Sequence, residues 1–167
     1  GLTVALFGSQ LGVETTALTS EDVLAATFNK ELVYEIGKIV GNDCLRAEVT
    51  FLYGPGANIH RSPYSGRNFE YYSEDGFLSS EIGRYEVKGI EEKGVRVVMK
   101  HFALNDCEQD RIGLGVWLNE QAAREIYLRA FQGALEDSQG SGNGVMMAYT
   151  RWGAQWSGAN EKLVRGI

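Results

Sequence analysis

What most constrains this chain is an alternation. Short apolar runs at 24–28 (L-A-A-T-F), 49–54 (V-T-F-L-Y-G), 95–99 (V-R-V-V-M) and 145–149 (V-M-M-A-Y) are each followed, directly or after a loop, by a segment with apolar residues at helical spacing. None of the runs alternates strictly between polar and apolar, so they read as strands covered on both faces. The order βαβαβαβ then predicts a parallel sheet, either doubly wound or closed into a (β/α) barrel. A further short strand is expected at 1–7 (G-L-T-V-A-L-F).

The helical segments carry their own punctuation. Asn29 caps a helix in which Leu32, Ile36, Ile39, Val40 and Cys44 recur, and the run at 24–28 reads as the strand feeding it. A second helix is expected over 77–92, with Leu78, Ile82, Tyr85 and Ile90 on one side and Gly94 as its stop. Asn119 caps a third over 120–136, whose buried stripe is Ala123, Ile126, Tyr127, Ala130, Phe131 and Ala134. Asn160 begins one more.

Chemistry-bearing residues gather after the strands and not before them, which is where a parallel α/β protein meets its ligand. The densest case is 95–111 (V-R-V-V-M-K-H-F-A-L-N-D-C-E-Q-D-R), a buried strand that runs into Lys100, His101 and a cluster of ionisable side chains. The loop over 57–76, rich in Tyr, Arg, Ser and Asn, is of a length that usually marks function.

With 167 residues and 44% hydrophobic content, the chain has the size and apolar matter of one domain, taken as 1–167. A net charge of −6 and the absence of a Lys/Arg run exclude a nucleic-acid partner. No apolar stretch approaches the ~20 residues that span a bilayer, so no membrane partner is expected. Cys44 and Cys107 read as ordinary thiols, and two histidines without ligand spacing predict no metal site. No glycine-rich phosphate motif follows any strand, so no cofactor is expected. The first residue is Gly, as in an excerpt or a processed piece; a cytoplasmic location is expected, with a secreted or periplasmic one as the alternative.

Three motifs then become specific. G-P-G-A-N-I-H-R-S-P-Y-S-G-R-N-F-E-Y-Y-S-E-D (54–75), K-H-F-A-L-N-D-C-E-Q-D-R (100–111) and N-E-Q-A-A-R-E-I-Y-L-R-A-F (119–131) occur in one order. Together they resemble glycoside hydrolase family three in its β-glucosidase branch, over roughly 24–167. Lys100-His101-Phe102 followed by Ala103-Leu104-Asn105 is of the glucosidase type, since the N-acetylhexosaminidase branch has Pro-Gly-His-Gly there.

The resemblance implies an α/β fold of the (β/α)8 TIM-barrel type, of which this chain covers about half, and an exo-acting retaining β-glucosidase as the whole. By position Arg67, Lys100 and His101 match the family's binders of sugar hydroxyls, and Tyr149 matches a contact at the same subsite. Arg and Lys donate to hydroxyl oxygens and His donates or accepts, so the set suits a β-glucoside or oligosaccharide substrate. Ala148-Tyr149-Thr150 stands where the family has Ser-Tyr-Asn, so the Asn's role is not carried over.

Each functional reading has a plainer rival. Arg67 can pair with Glu70 or Asp75 to hold its own loop; Glu108, Asp110 and Arg111 read as a salt-bridged brace for the Lys100-His101 loop; His60-Arg61 reads as loop support; Trp152 and Trp156 suit either a stacking rim or the core. No catalytic residue is assigned within the chain. The family's nucleophile is an Asp on the strand after the one carrying Tyr149, yet no Asp follows Val145. Its acid/base Glu belongs to another part of the protein, and a sugar-binding Asp-Gly-Pro would precede Gly1.

The remaining part of the same enzyme is therefore an expected partner. The open edges of half a barrel also predict an oligomer or other association. The rival reading is a non-catalytic fragment that at most binds sugar or assembles with a partner chain, and within the family a β-xylosidase. Successive strand side chains point to opposite faces, so joint use of Lys100 and His101 predicts a bulge, a twist or an unusual peptide bond between them.

Overall fold

The computed structural model describes residues 12–138 and 142–166. The strand expected at 1–7 lies outside them. In chain order the elements are α1 (Glu21–Ala26), α2 (Lys30–Arg46), β1 (Phe51–Leu52), α3 (Gly76–Glu92), β2 (Arg96–Phe102), β3 (Gly115–Val116) and α4 (Glu120–Ala122). A π-helical segment (Ala123–Tyr127) leads into α5 (Arg129–Asp137), and β4 (Gly144–Met147), β5 (Arg151–Trp152), β6 (Gln155–Trp156) and α6 (Glu161–Arg165) complete the set.

The central sheet is β1-β2-β4, parallel throughout, and the helices between its strands pack on one side. This is a partial (β/α) barrel. Burial along β2 alternates: Val97 and Met99 are wholly buried under the helices, while Val98 and Lys100 on the other face are half-buried. The core joins β2 to α2, α3 and α5 through residues such as Cys44, Val87, Ile90 and Phe131, with Phe102 and Phe131 edge to face at 5.3 Å.

The caps fall where the sequence puts them. Asn29, Asp75, Asn119 and Asn160 each accept a hydrogen bond from the backbone three residues on, at Leu32, Leu78, Ala122 and Leu163. Asp75 is thus occupied as a cap and does not pair with Arg67. Gly94, at φ +82, ends α3 in the left-handed conformation that costs glycine nothing.

The helix pair α2 and α3 approaches closely through glycines. A Cβ on Gly37 would lie 2.3 Å from the Glu86 carbonyl oxygen, and one on Gly89 would lie 2.3 Å from that of Tyr34. Contact on α2 therefore runs through Val33, Gly37, Val40, Gly41 and Cys44, and Leu32 faces outward.

Two expectations change. Residues 24–28 are not a strand: Glu21–Ala26 is a helix, with acidic Asp22 favouring its N-terminus and alanines filling its turns. Phe28 turns the chain at φ +51. Ile126 leaves the buried stripe of the 120–136 segment because it lies inside the π turn, whose wider winding closes Leu128 N onto the Ala123 carbonyl at 2.8 Å, so Ile126 is exposed while Ala123, Leu128, Ala130, Phe131 and Ala134 are buried. The small second sheet β3-β5-β6, with β3 parallel to β5 and β5 antiparallel to β6, was not expected from runs of two residues.

Candidate active site

The chain leaving β1 stays beside the end of β2. Lys100 donates its backbone N–H to the Pro55 carbonyl at 3.1 Å, and Ala57 donates to the Lys100 carbonyl at 2.7 Å. Gly56 is needed there, because a Cβ would sit 2.3 Å from the Glu70 carbonyl oxygen where the loop folds back on itself. One residue further, the buried Asn58 side chain takes over the role of a neighbouring strand. Its Oδ1 accepts from His101 N at 2.9 Å and its Nδ2 donates to the His101 carbonyl at 3.0 Å.

That side-chain pairing falls where the pairing of β2 with β4 shifts register, between Lys100 and Phe102. The Lys100–His101 and Phe102–Ala103 peptide bonds are cis, as is Gly54–Pro55. The irregularity expected from the joint use of Lys100 and His101 is present.

Both side chains turn toward one loop, and consecutive loop residues meet them. Lys100 Nζ lies 2.9 Å from Glu70 Oε2, and Tyr71 Oη lies 3.1 Å from His101 Nδ1. Glu70 also pairs with the Arg67 guanidinium. Arg67, Lys100 and His101 are therefore brought together by the 3-10 turn Asn68–Glu70. His60 supports this loop as expected: its Nε2 donates toward the Asn68 and Tyr71 carbonyls at 2.9 and 3.0 Å, since a carbonyl only accepts.

Tyr149 joins through a second ring of contacts. Glu108 pairs with Arg111 at 2.8 Å and faces Arg67 at 3.7 Å, and the Arg111 guanidinium sits 4.9 Å from the centre of the half-exposed Tyr149 ring. The brace is thus Glu108 with Arg111. Asp110, at φ +53, makes no ion pair among the described residues. Trp152 packs against the core and donates to the Leu118 carbonyl, whereas Trp156 is partly exposed and donates to that of Ala148.

Cations outnumber anions in this cluster: Arg67, Lys100 and Arg111 against Glu70 and Glu108. Burial, and then the positive charges of Arg67, Lys100 and Arg111, push the His101 imidazole down to about 3, so it is neutral at any physiological pH. Burial pushes Asp106, which accepts from Ile59 N at 2.8 Å, up to about 7. The arrangement can donate several hydrogen bonds to a neutral polyhydroxylated molecule from one side. Its two carboxylates, Glu70 and Glu108, both face cations, so neither is free to act as nucleophile or acid.

Sequence reasoning missed Asn58, Tyr71 and Asn105, all buried and all touching His101 or its partner. For Asn58 and Asn105 the signal was a polar residue inside an otherwise apolar or glycine-rich stretch; Tyr71, among the polar residues 67–75, carried no such mark. Thr150, in place of the family's Asn, is wholly buried and donates to the Ala103 and Leu104 carbonyls at 3.2 Å, which makes it a tie for the turn after β2.

The sequence pattern described as the glycosyl hydrolase family 3 N terminal domain matches residues 7–167. The chain belongs to glycosyl hydrolase family 3. This family 3 chain is 39% identical over 155 residues to thermostable beta-glucosidase B of Acetivibrio thermocellus, covering 93% of the chain and 20% of that protein. It is 35% identical over 144 residues to an exo-alpha-(1->6)-L-arabinopyranosidase of Bifidobacterium breve, covering 86% of the chain and 19% of that protein. Among solved structures it is similar to beta-glucosidase 3B from Thermotoga neapolitana in complex with alpha-D-glucose, with a TM-score of 0.87 and 41% identity over 91% of the chain and 21% of that structure. The family 3 segment described here thus spans about a fifth of the length of these relatives.

Proposed function

We propose that this chain is the sugar-binding part of the N-terminal barrel of an exo-acting retaining β-glucosidase. Arg67, Lys100, His101 and Tyr149 hold the terminal glucose. The observation that carries the reading is the gathering of Arg67, Lys100 and a neutral His101 onto one loop at the C-terminal end of a parallel sheet, where a barrel binds its ligand. Lys100 and Arg67 donate to hydroxyl oxygens with their free N–H groups. Glu70 keeps both from swinging away.

In such an enzyme the attack on the anomeric carbon and the protonation of the leaving group need two carboxyl groups about 5 Å apart. The nucleophilic Asp and the acid/base Glu are assigned to the parts of the enzyme beyond these residues. The chain's own work is to bind, orient and help distort the sugar, and the loss of such contacts costs transition-state stabilisation. The arabinopyranosidase among the relatives gives the alternative glycone a pentopyranose, of which xylose is another member.

The test is kinetic. In the full-length protein, Lys100→Ala and Arg67→Ala should each lower kcat/KM for an aryl β-glucoside by roughly 10²-fold or more. Wild-type-like turnover in both variants would overturn the assignment, and faster hydrolysis of an aryl β-xyloside or α-L-arabinopyranoside by the wild type would move the glycone to a pentose.

A further inference from the structure

The geometry points to a hydrogen-bond relay linking Glu108, Asn105, Tyr71 and His101, in which Asn105 donates to both neighbours and Tyr71 is a positioning residue that fixes His101 as the Nε2–H tautomer. It rests on the reading that His101 meets a sugar hydroxyl, and it specifies what His101 offers there: a donor and not an acceptor.

The direction starts at Glu108. Its carboxylate faces Arg111 and Arg67 and can only accept. Asn105 approaches it with Nδ2, 2.7 Å from Oε1, which orients the amide. The same Nδ2 lies 3.3 Å from Tyr71 Oη. With two hydrogens on that nitrogen, Asn105 donates to both, and the phenol oxygen becomes an acceptor. The phenol hydrogen must then go elsewhere. Within reach is His101 Nδ1 at 3.1 Å. Nδ1 is therefore a lone pair, and a neutral imidazole carries its one proton on Nε2.

Asn58 Oδ1, 3.3 Å from Nδ1, is the competing partner. It already accepts the shorter bond from His101 N. If Nδ1 donated to it, the Tyr71 hydroxyl hydrogen would have no acceptor among the described residues, though Tyr71 is wholly buried. Leaving a buried donor unmet costs about 1–3 kcal/mol. Burial raises the Tyr71 phenol well above its ordinary range, so it keeps its proton, and burial together with the surrounding Arg67, Lys100 and Arg111 keeps the imidazole from gaining a second one. Nε2 has no protein partner among the described residues and is the ring atom left for a ligand.

The experiment is imidazole 15N NMR on the full-length protein labelled at histidine, with the His101 signals identified by their loss in His101→Gln. The wild type should show a pyridine-like Nδ1 and a protonated Nε2 from pH 5 to 8. Tyr71→Phe should move the proton to Nδ1, where Asn58 Oδ1 can accept it, and should lower kcat/KM for an aryl β-glucoside about tenfold. Glu108→Gln, which lets Asn105 turn over, should give a mixture of tautomers. A wild-type His101 protonated on Nδ1, or a tautomer unmoved by Tyr71→Phe, would overturn the relay. Absence of any glycosidase activity in the wild type would sink the functional reading instead, since the NMR result does not depend on turnover.

Discussion

Glu70 makes two of the proposed sugar ligands one unit. Its carboxylate accepts from Lys100 Nζ and from Arg67, and all three side chains are largely buried, so the pairing is less screened than on an open surface. Glu70→Gln keeps the shape but can no longer balance two cations. We expect kcat/KM of the full-length protein for an aryl β-glucoside to fall roughly 10²-fold, with a larger loss in Glu70→Ala; steady-state kinetics that match the wild type would show that Lys100 and Arg67 need no such anchor. Asp106 carries a different prediction. Its folded value, about 7, lies above its ordinary one of 3.8, so its contribution to stability is fully present below about pH 4 and is lost as pH rises through 7. Relative to Asp106→Asn, the wild type should lose on the order of 2 kcal/mol of stability between pH 5 and pH 8. Parallel pH profiles of the two thermal midpoints would contradict this.

Among the elements, the α2 and α3 pair is the most sharply specified. Gly89→Ala would drive a methyl group to 2.3 Å from the Tyr34 carbonyl oxygen, a backbone atom that cannot move aside without shifting the helix. The expected cost is about 1–3 kcal/mol, read as a lowered denaturation midpoint, whereas Gly66→Ala, in open space, should be near neutral. Periodicity located α2, α3 and the 120–136 segment, because burial of one helical face leaves a 3.6-residue signature. It could not separate the helix α1 from a strand, since the apolar run at 24–28 is too short to show either period. Nor could it see the π turn, which tertiary contacts and not local propensity select.

At the scale of the molecule, the parallel sheet ends in β1 on one side and β4 on the other among the described residues. Edges of this kind pair with other chains unless covered, and large apolar side chains such as Phe51 at the β1 edge are half-exposed. Expressed alone, the 167 residues should associate or unfold with low cooperativity; a monodisperse monomer with a sharp transition, by sedimentation and denaturant titration, would count against that. The same polypeptide should neither turn over an aryl β-glucoside nor be labelled by a fluorinated glucosyl inactivator, because binding residues cannot replace the attacking carboxylate. Stoichiometric labelling of any of its carboxylates would place the nucleophile inside the chain.

The sequence by itself determined the α/β class, the helix caps, the strand that ends in Lys100 and His101, and the family, because caps, periodicity and motifs are local and survive without coordinates. Only the tertiary structure decided that Asn58 substitutes for a strand partner, that Glu70 holds Lys100 while Tyr71 meets His101, and that Tyr149 is reached through Arg111. These contacts join residues 30 or more positions apart, and no local pattern records which buried polar group will meet which.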